Sequence, residues 1–101
     1  MTMPDALTEP ALRDALATLP EWRLEDDALR RDLRFPDFLA AFSFLGAVAM
    51  LAERLGHHPE IHNVYRDVTI TLKTHDAGDR VTALDVDLAT AIDRHLARRD
   101  P

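Results

Sequence analysis

The run FLAAFSFLGAVAMLA, Phe38 to Ala52, limits the possible folds more than any other part of the chain. Asp37 after Pro36 is placed to open a helix here, Gly56 suits a left-handed position at its end, and Pro59 forbids continuation. Phe38, Phe42, Leu45, Ala49 and Ala52 make one apolar stripe, and Phe44, Leu51 and Leu55 make another. The run falls short of the ~20 apolar residues needed to cross a bilayer, so it is expected to be a buried helix. A helix that is apolar on more than one side needs more than one cover. One side is expected to meet a sheet and the other a sister subunit.

The partners for that helix can be read on either side of it. Leu7 to Leu19 has helical spacing, with Thr8 as a candidate N-cap and Pro10 early enough to be tolerated. Pro20 ends it. EWRLEDDALRRDLRF, residues 21–35, reads as a hairpin turning at Asp26 and Asp27, with Trp22, Leu24, Leu29, Leu33 and Phe35 alternating with charges. The part from Ala28 to Phe35 also fits a helix imperfectly. Beyond the long helix, HNVY favours a strand, and VTITLKT, Val68 to Thr74, alternates with Val68, Ile70 and Leu72 facing inward. A tight turn is expected at Arg66 and Asp67, and HDAGD, residues 75–79, is a turn built on Gly78. Thr82 followed by Asp85 resembles a capping box, with Val81 and Val86 as a hydrophobic staple. Leu84, Leu88, Ala91, Ile92 and His95 or Leu96 then mark a last helix. The order α-β-β-α-β-β-α predicts a single α+β domain over residues 1–101: a four-stranded antiparallel sheet with three helices on one face.

Composition removes several classes of function. The 101 residues include no cysteine, which excludes disulfides, thiolate nucleophiles and cysteine-held metal. A formal charge of -6 argues against nucleic acid as a partner. The amino terminus lacks the apolar stretch of a secretory signal, so the cytoplasm is the expected location, with no membrane partner. Ser43 has no neighbouring base, and there is no glycine-rich phosphate loop.

Histidine carries the chemistry that remains. His57, His58 and His62 lie close together, and His75 ends the strand that follows them. If those two stretches pair, His57, His58 and His75 converge at one edge of the sheet, with Glu53 one helical turn before His57. Imidazoles with unperturbed values near 6.5 suit general acid/base work, one ring accepting a proton while another donates. A His-His pair can equally be a solvated loop. Zinc is a further competitor, but adjacent side chains in extended chain point apart and no fourth ligand recurs at the usual spacing, so no metal is expected. His62 reads as a surface residue and His95 as structural. Asp85 is accounted for by the capping box, and Glu53 by an exposed turn.

The residues Ala52 to Gly78, AERLGHHPEIHNVYRDVTITLKTHDAG, followed by LDVDLA, Leu84 to Ala89, closely resemble the pterin-4a-carbinolamine dehydratases. The likeness is concentrated in Glu53-x-x-x-His57-His58-Pro59, Asn63-x-Tyr65 and Thr74-His75. It implies removal of water from a 4a-hydroxytetrahydropterin to give the quinonoid dihydropterin, without metal or organic cofactor. It also implies His57, His58 and His75 as the catalytic histidines, and Glu53, Thr74, His75, Asp76 and Asp85 as substrate-site residues. The chain departs from the family pattern at Gly56, where members commonly carry an acidic residue, and at Leu84, where some carry arginine. A homo-oligomer, dimer or tetramer, is expected, with functional coupling to an aromatic amino acid hydroxylase. The competing readings are a non-catalytic protein-binding module, like the animal relatives that act as dimerisation cofactors of a transcription factor, and a pterin-handling accessory module.

Overall fold

The computed structural model describes residues 5–99. The elements run α1 (Glu9–Ala17), β1 (Arg23–Glu25), β2 (Ala28–Arg34), α2 (Phe38–Leu55), β3 (Glu60–Val64), β4 (Asp67–Leu72) and α3 (Ala83–Arg99), with a single 3-10 turn, His75–Ala77, before α3. The four strands form one antiparallel sheet in the order β1-β2-β4-β3, so the expected architecture is observed. β2 and β4 are central, and α2 carries the chain from β2 to the outer strand β3.

Local chemistry explains the element ends. Thr8 accepts the Ala11 N–H in its side chain, and Asp37 accepts the Ala40 N–H at 2.8 Å, each satisfying a free donor of a first turn. Asp26 and Asp27 are both left-handed, with φ of 52° and 61°. That is the twist a two-residue hairpin needs, and aspartate tolerates it better than most residues. Strand assignment therefore holds for 28–34, where the helical alternative fails.

The sheet buries one face only. Leu29 opposes Leu72 and Leu33 opposes Val68, and Ile70 completes the layer beneath the helices. α2 adds Ala41, Phe44, Val48 and Ala52, and α3 adds Leu88, Ala89 and Ile92. Each fully buried Leu, Ile or Phe contributes roughly 1.5–3 kcal/mol through removal of apolar surface from water. Arg31, opposite Ile70, also lies on the helix side. It is tolerated because its guanidinium reaches Asp93 of α3 at 2.6 Å, where the Trp22 indole N–H also donates at 2.9 Å. The outer face is polar: Arg23 bonds Asp32, Thr69 donates to Asp32, and Arg34 bonds Asp67.

Two sequence expectations change. The buried stripe of α2 is Ala41, Phe44, Val48 and Ala52, whereas Phe38, Phe42 and Ala49 are exposed. Phenylalanines dominate any hydrophobicity count, but here small residues seat α2 against the sheet while Leu39 and Met50 stay 75% and 71% exposed. The helix is therefore half-buried and not fully enclosed. Second, the β3–β4 turn is at Tyr65 and Arg66, because Val64 pairs with Asp67 and Tyr65 itself takes φ of 53°. Moving the turn by one residue moves the register by two. The faces are unchanged, but the pairing line carries Thr74 toward His57, where a turn at Arg66 and Asp67 would have set it opposite Pro59.

Candidate functional site

The end of α2 delivers the first histidine. Gly56, at φ of 65° and ψ of 30°, turns the chain out of the helix. Its N–H bonds the Glu53 carbonyl, and the His57 N–H bonds the Ala52 carbonyl at 3.1 Å. Together these two bonds form a Schellman closure, which caps the last carbonyls and sets the direction of the His57 backbone. Glycine takes this left-handed conformation without the steric cost a Cβ would bring.

The start of α3 delivers its partner. Thr82 caps the helix: its hydroxyl accepts the Leu84 N–H at 3.2 Å, and its own N–H donates to Asp85 Oδ2 at 2.9 Å. This is the expected capping box, with the hydroxyl arm on the second helical residue. Asp85 does more than cap. It is fully buried, its Oδ1 lies 2.5 Å from His57 Nε2, and its Oδ2 accepts the Thr74 hydroxyl at 2.8 Å. Thr74 and Thr82 are linked through their hydroxyls at 2.7 Å. Thr74 is held in turn by its N–H to the Arg80 carbonyl at 2.8 Å, an isolated bridge that folds residues 75–79 back beside the strand. His57, Thr74, Thr82 and Asp85 are all buried, so four polar side chains satisfy one another beneath the surface.

The other two imidazoles are on the outside. His58 Nε2 lies 3.0 Å from Glu53 Oε1, with both side chains mostly exposed. The reach foreseen for Glu53 is therefore realised toward His58 and not His57. His75 is 92% exposed and its Nδ1 lies 3.1 Å from Asp79 Oδ1. Such exposed pairs contribute about 0–1 kcal/mol and leave the rings free to reorient. Asp76 is exposed beside His75. The three histidines thus occupy one end of the molecule, joined through Asp85 and Thr74, but each ring is paired with a different carboxylate.

Two of the residues expected at the substrate site are enclosed. Asp85 has no exposed surface and Thr74 is 4% exposed, and their polar atoms are already bonded to each other and to His57. His62 is exposed, as expected, and with Arg30, Glu60, Ile61, Thr69 and Thr71 it lines a hollow of about 440 Å³ on the outer face of the sheet. A second hollow of about 390 Å³ lies between α2 and α3, edged by Arg54, Arg94, His95 and Arg98. Neither is lined by His57, His58 or His75. Thr82 and Asp79 were legible only as cap and turn residues, and no sequence signal tied them to a histidine.

Fold and site together define a class: a small α+β domain with a buried histidine–carboxylate pair and two exposed histidines at one end of an antiparallel sheet. The model of the family described as Pterin 4 alpha carbinolamine dehydratase matches residues 5–95, and the chain belongs to that family. Its relatives include proteins named, provisionally, pterin-4-alpha-carbinolamine dehydratase. The one from Opitutus terrae is 47% identical over 91% of this chain and 95% of its own. The one from Novosphingobium aromaticivorans is 51% identical over 85% and 92%. The fold is also similar to a crystal structure described as a transcriptional coactivator/pterin dehydratase from Brucella melitensis, with a TM-score of 0.84 and 39% identity over 89% of this chain and 97% of that one.

Proposed function

We propose that this protein is a pterin-4a-carbinolamine dehydratase, which removes water from a 4a-hydroxytetrahydropterin to give the quinonoid dihydropterin. The observation that carries the reading is the buried His57–Asp85 pair, 2.5 Å apart, beside exposed His58 and His75 in a chain of this family. The substrate carries a hydroxyl and a ring N–H on neighbouring atoms. As the carbon–oxygen bond breaks, the nitrogen lone pair forms the new carbon–nitrogen double bond. One proton goes to the departing oxygen and another leaves nitrogen, so substrate becomes product plus water with no redox partner. His57 and His75 are the proton-transfer groups in this reading, and His58, beside Glu53, binds and polarises the pterin. Asp85 orients His57, while Asp76 and His75 on the turn contribute substrate contacts. The protein works in the cytoplasm and recycles the pterin used by an aromatic amino acid hydroxylase.

The test is the rate of water loss from freshly generated hydroxypterin, followed by absorbance. His57→Ala and His75→Ala are each expected to slow it by roughly 10²–10⁴-fold, the usual scale for a lost general acid or base. Wild-type-like rates in both would refute the assignment.

Association of copies is part of the same proposal. Phe38, Leu39, Phe42 and Met50 leave an apolar strip along the outer side of α2, where the Phe38 and Phe42 rings lie tilted against each other with centres 5.6 Å apart. A sister subunit would remove that strip from water. The same strip supports the second reading, a partner-binding module, in keeping with the coactivator description of the Brucella melitensis protein.

A further inference from the structure

We infer that Thr82, acting through Thr74 and Asp85, is a positioning residue that fixes which nitrogen of His57 carries out proton transfer. The inference rests on the dehydratase reading for its consequence, but not for its structural content. The hydrogens can be placed by counting. The Thr82 hydroxyl oxygen already accepts the Leu84 N–H at 3.2 Å, so its own hydrogen is free to donate, and the Thr74 hydroxyl stands 2.7 Å away. Thr74 passes its own hydrogen to Asp85 Oδ2 at 2.8 Å. The Thr82 N–H ends on the same oxygen at 2.9 Å. Every hydrogen these threonines supply therefore runs toward Asp85 Oδ2, and with Oδ2 so occupied Oδ1 is assigned as the acceptor toward His57.

An acceptor facing His57 at 2.5 Å requires a hydrogen on Nε2. The ring is then held by a donor bond from Nε2, and Nδ1 remains. Among the described residues Nδ1 has no hydrogen-bond partner, and no buried side-chain nitrogen or oxygen is left unpartnered. The small exposed part of the ring, 10% of the side chain, thus includes Nδ1. Nδ1 is the atom that gives or takes the proton, and Nε2 never leaves Asp85. The reverse arrangement, with a protonated Asp85 donating to Nε2 and hydrogen on Nδ1, would block Nδ1 as a base. The Thr82–Thr74 chain disfavours it, because two donors on Oδ2 bond a carboxylate more strongly than the carbonyl of a neutral acid.

Two measurements on the whole protein test this. Nitrogen-15 NMR of the histidine rings is expected to show neutral His57 with hydrogen on Nε2, coupled to a slowly exchanging ring proton. Hydrogen on Nδ1 in the neutral ring would overturn the inference whether or not the protein dehydrates pterins. Thr82→Val removes the donated hydroxyl hydrogen and is expected to broaden that ring proton and lower kcat roughly tenfold with KM little changed, the scale at which an orienting partner of a histidine acts. Thr82→Ser restores both. Because Thr82→Val also removes a helix cap, Thr74→Val, which cuts the relay and leaves the cap, is expected to give the same ring signature. An unaltered ring proton in a folded Thr82→Val or Thr74→Val variant would refute the relay. Correct ring signatures together with no dehydration in the wild type would instead refute the dehydratase reading alone.

Discussion

Replacing Asp85 by asparagine changes one atom and separates orientation from packing. In the native chain three donors end on the carboxylate: His57 Nε2 at 2.5 Å, the Thr74 hydroxyl at 2.8 Å and the Thr82 N–H at 2.9 Å. In Asp85→Asn the amide oxygen can keep the two threonine donors, and the amide NH₂ then faces His57. Bonds to a charged acceptor contribute about 1.5–3 kcal/mol and bonds to a neutral one about 0.5–1.5, so two retained bonds weaken by roughly 2 kcal/mol in total. Relief from burying a charge in a site with no exposed surface offsets part of that. The net loss is about 1–2 kcal/mol, a fall in melting temperature of roughly 4–16 °C for a domain of this size. Activity falls far more. The NH₂ forces Nε2 to accept, moves the ring hydrogen to Nδ1, and cuts kcat by roughly 10²–10⁴, as a wrong tautomer does in an orienting triad. Melting followed by circular dichroism and the absorbance assay for dehydration check the two numbers on one sample. A folded Asp85→Asn protein with kcat within a few-fold of wild type would show that His57 needs no carboxylate behind it.

Gly56→Ala meets no atom within 4 Å of the new Cβ, so its cost is backbone strain at φ of 65°, about 1 kcal/mol, read as a lower urea midpoint. A midpoint equal to wild type would show that the turn after α2 is not held in that conformation. Acid should weaken the fold through the outer sheet face. The Thr69 hydroxyl, then Arg23, hold Asp32 below the ordinary carboxylate range, Arg23 does so for Glu25, and Arg34 for Asp67, each against an opposing effect of burial. These values lie lower in the folded than in the unfolded chain, so the stability they contribute is present above about pH 4 and lost as pH falls through the folded values. Urea midpoints between pH 2 and 5 should show a shallower acid limb in Asp32→Asn than in wild type, and an unchanged limb would remove Asp32 from that account. Leu39→Glu and Phe42→Glu, on the exposed strip of α2, should lower the mass measured by light scattering while leaving the circular dichroism spectrum intact. A wild-type protein that is monomeric at assay concentration would end the association proposal.

Much of the fold was legible because its signals are local. Asp37 and Gly56 bracket α2, the Asp26–Asp27 pair marks the first hairpin, and the alternation of Val68, Ile70 and Leu72 marks β4. Each depends on the residue's own backbone preference or on a period of a few residues. The sided packing of α2 was less legible, because Phe38 and Phe42 weigh as heavily in composition as Phe44, while only the neighbouring sheet and α3 decide which side is covered.

The sequence alone determined the element order, the single antiparallel sheet, the start of each helix, the end of α2 and the grouping of histidines near it. These follow from spacing, capping and turn chemistry that act over five residues or fewer. Tertiary structure decided that His57 and not His58 turns inward, and that the capping carboxylate of α3 spends its second oxygen on a ring 28 positions earlier. It also placed Thr74 and Thr82 behind that carboxylate. Side chains so far apart in the chain meet only when two helix ends and a strand end are packed together, and no local preference encodes which of two adjacent imidazoles will then be buried.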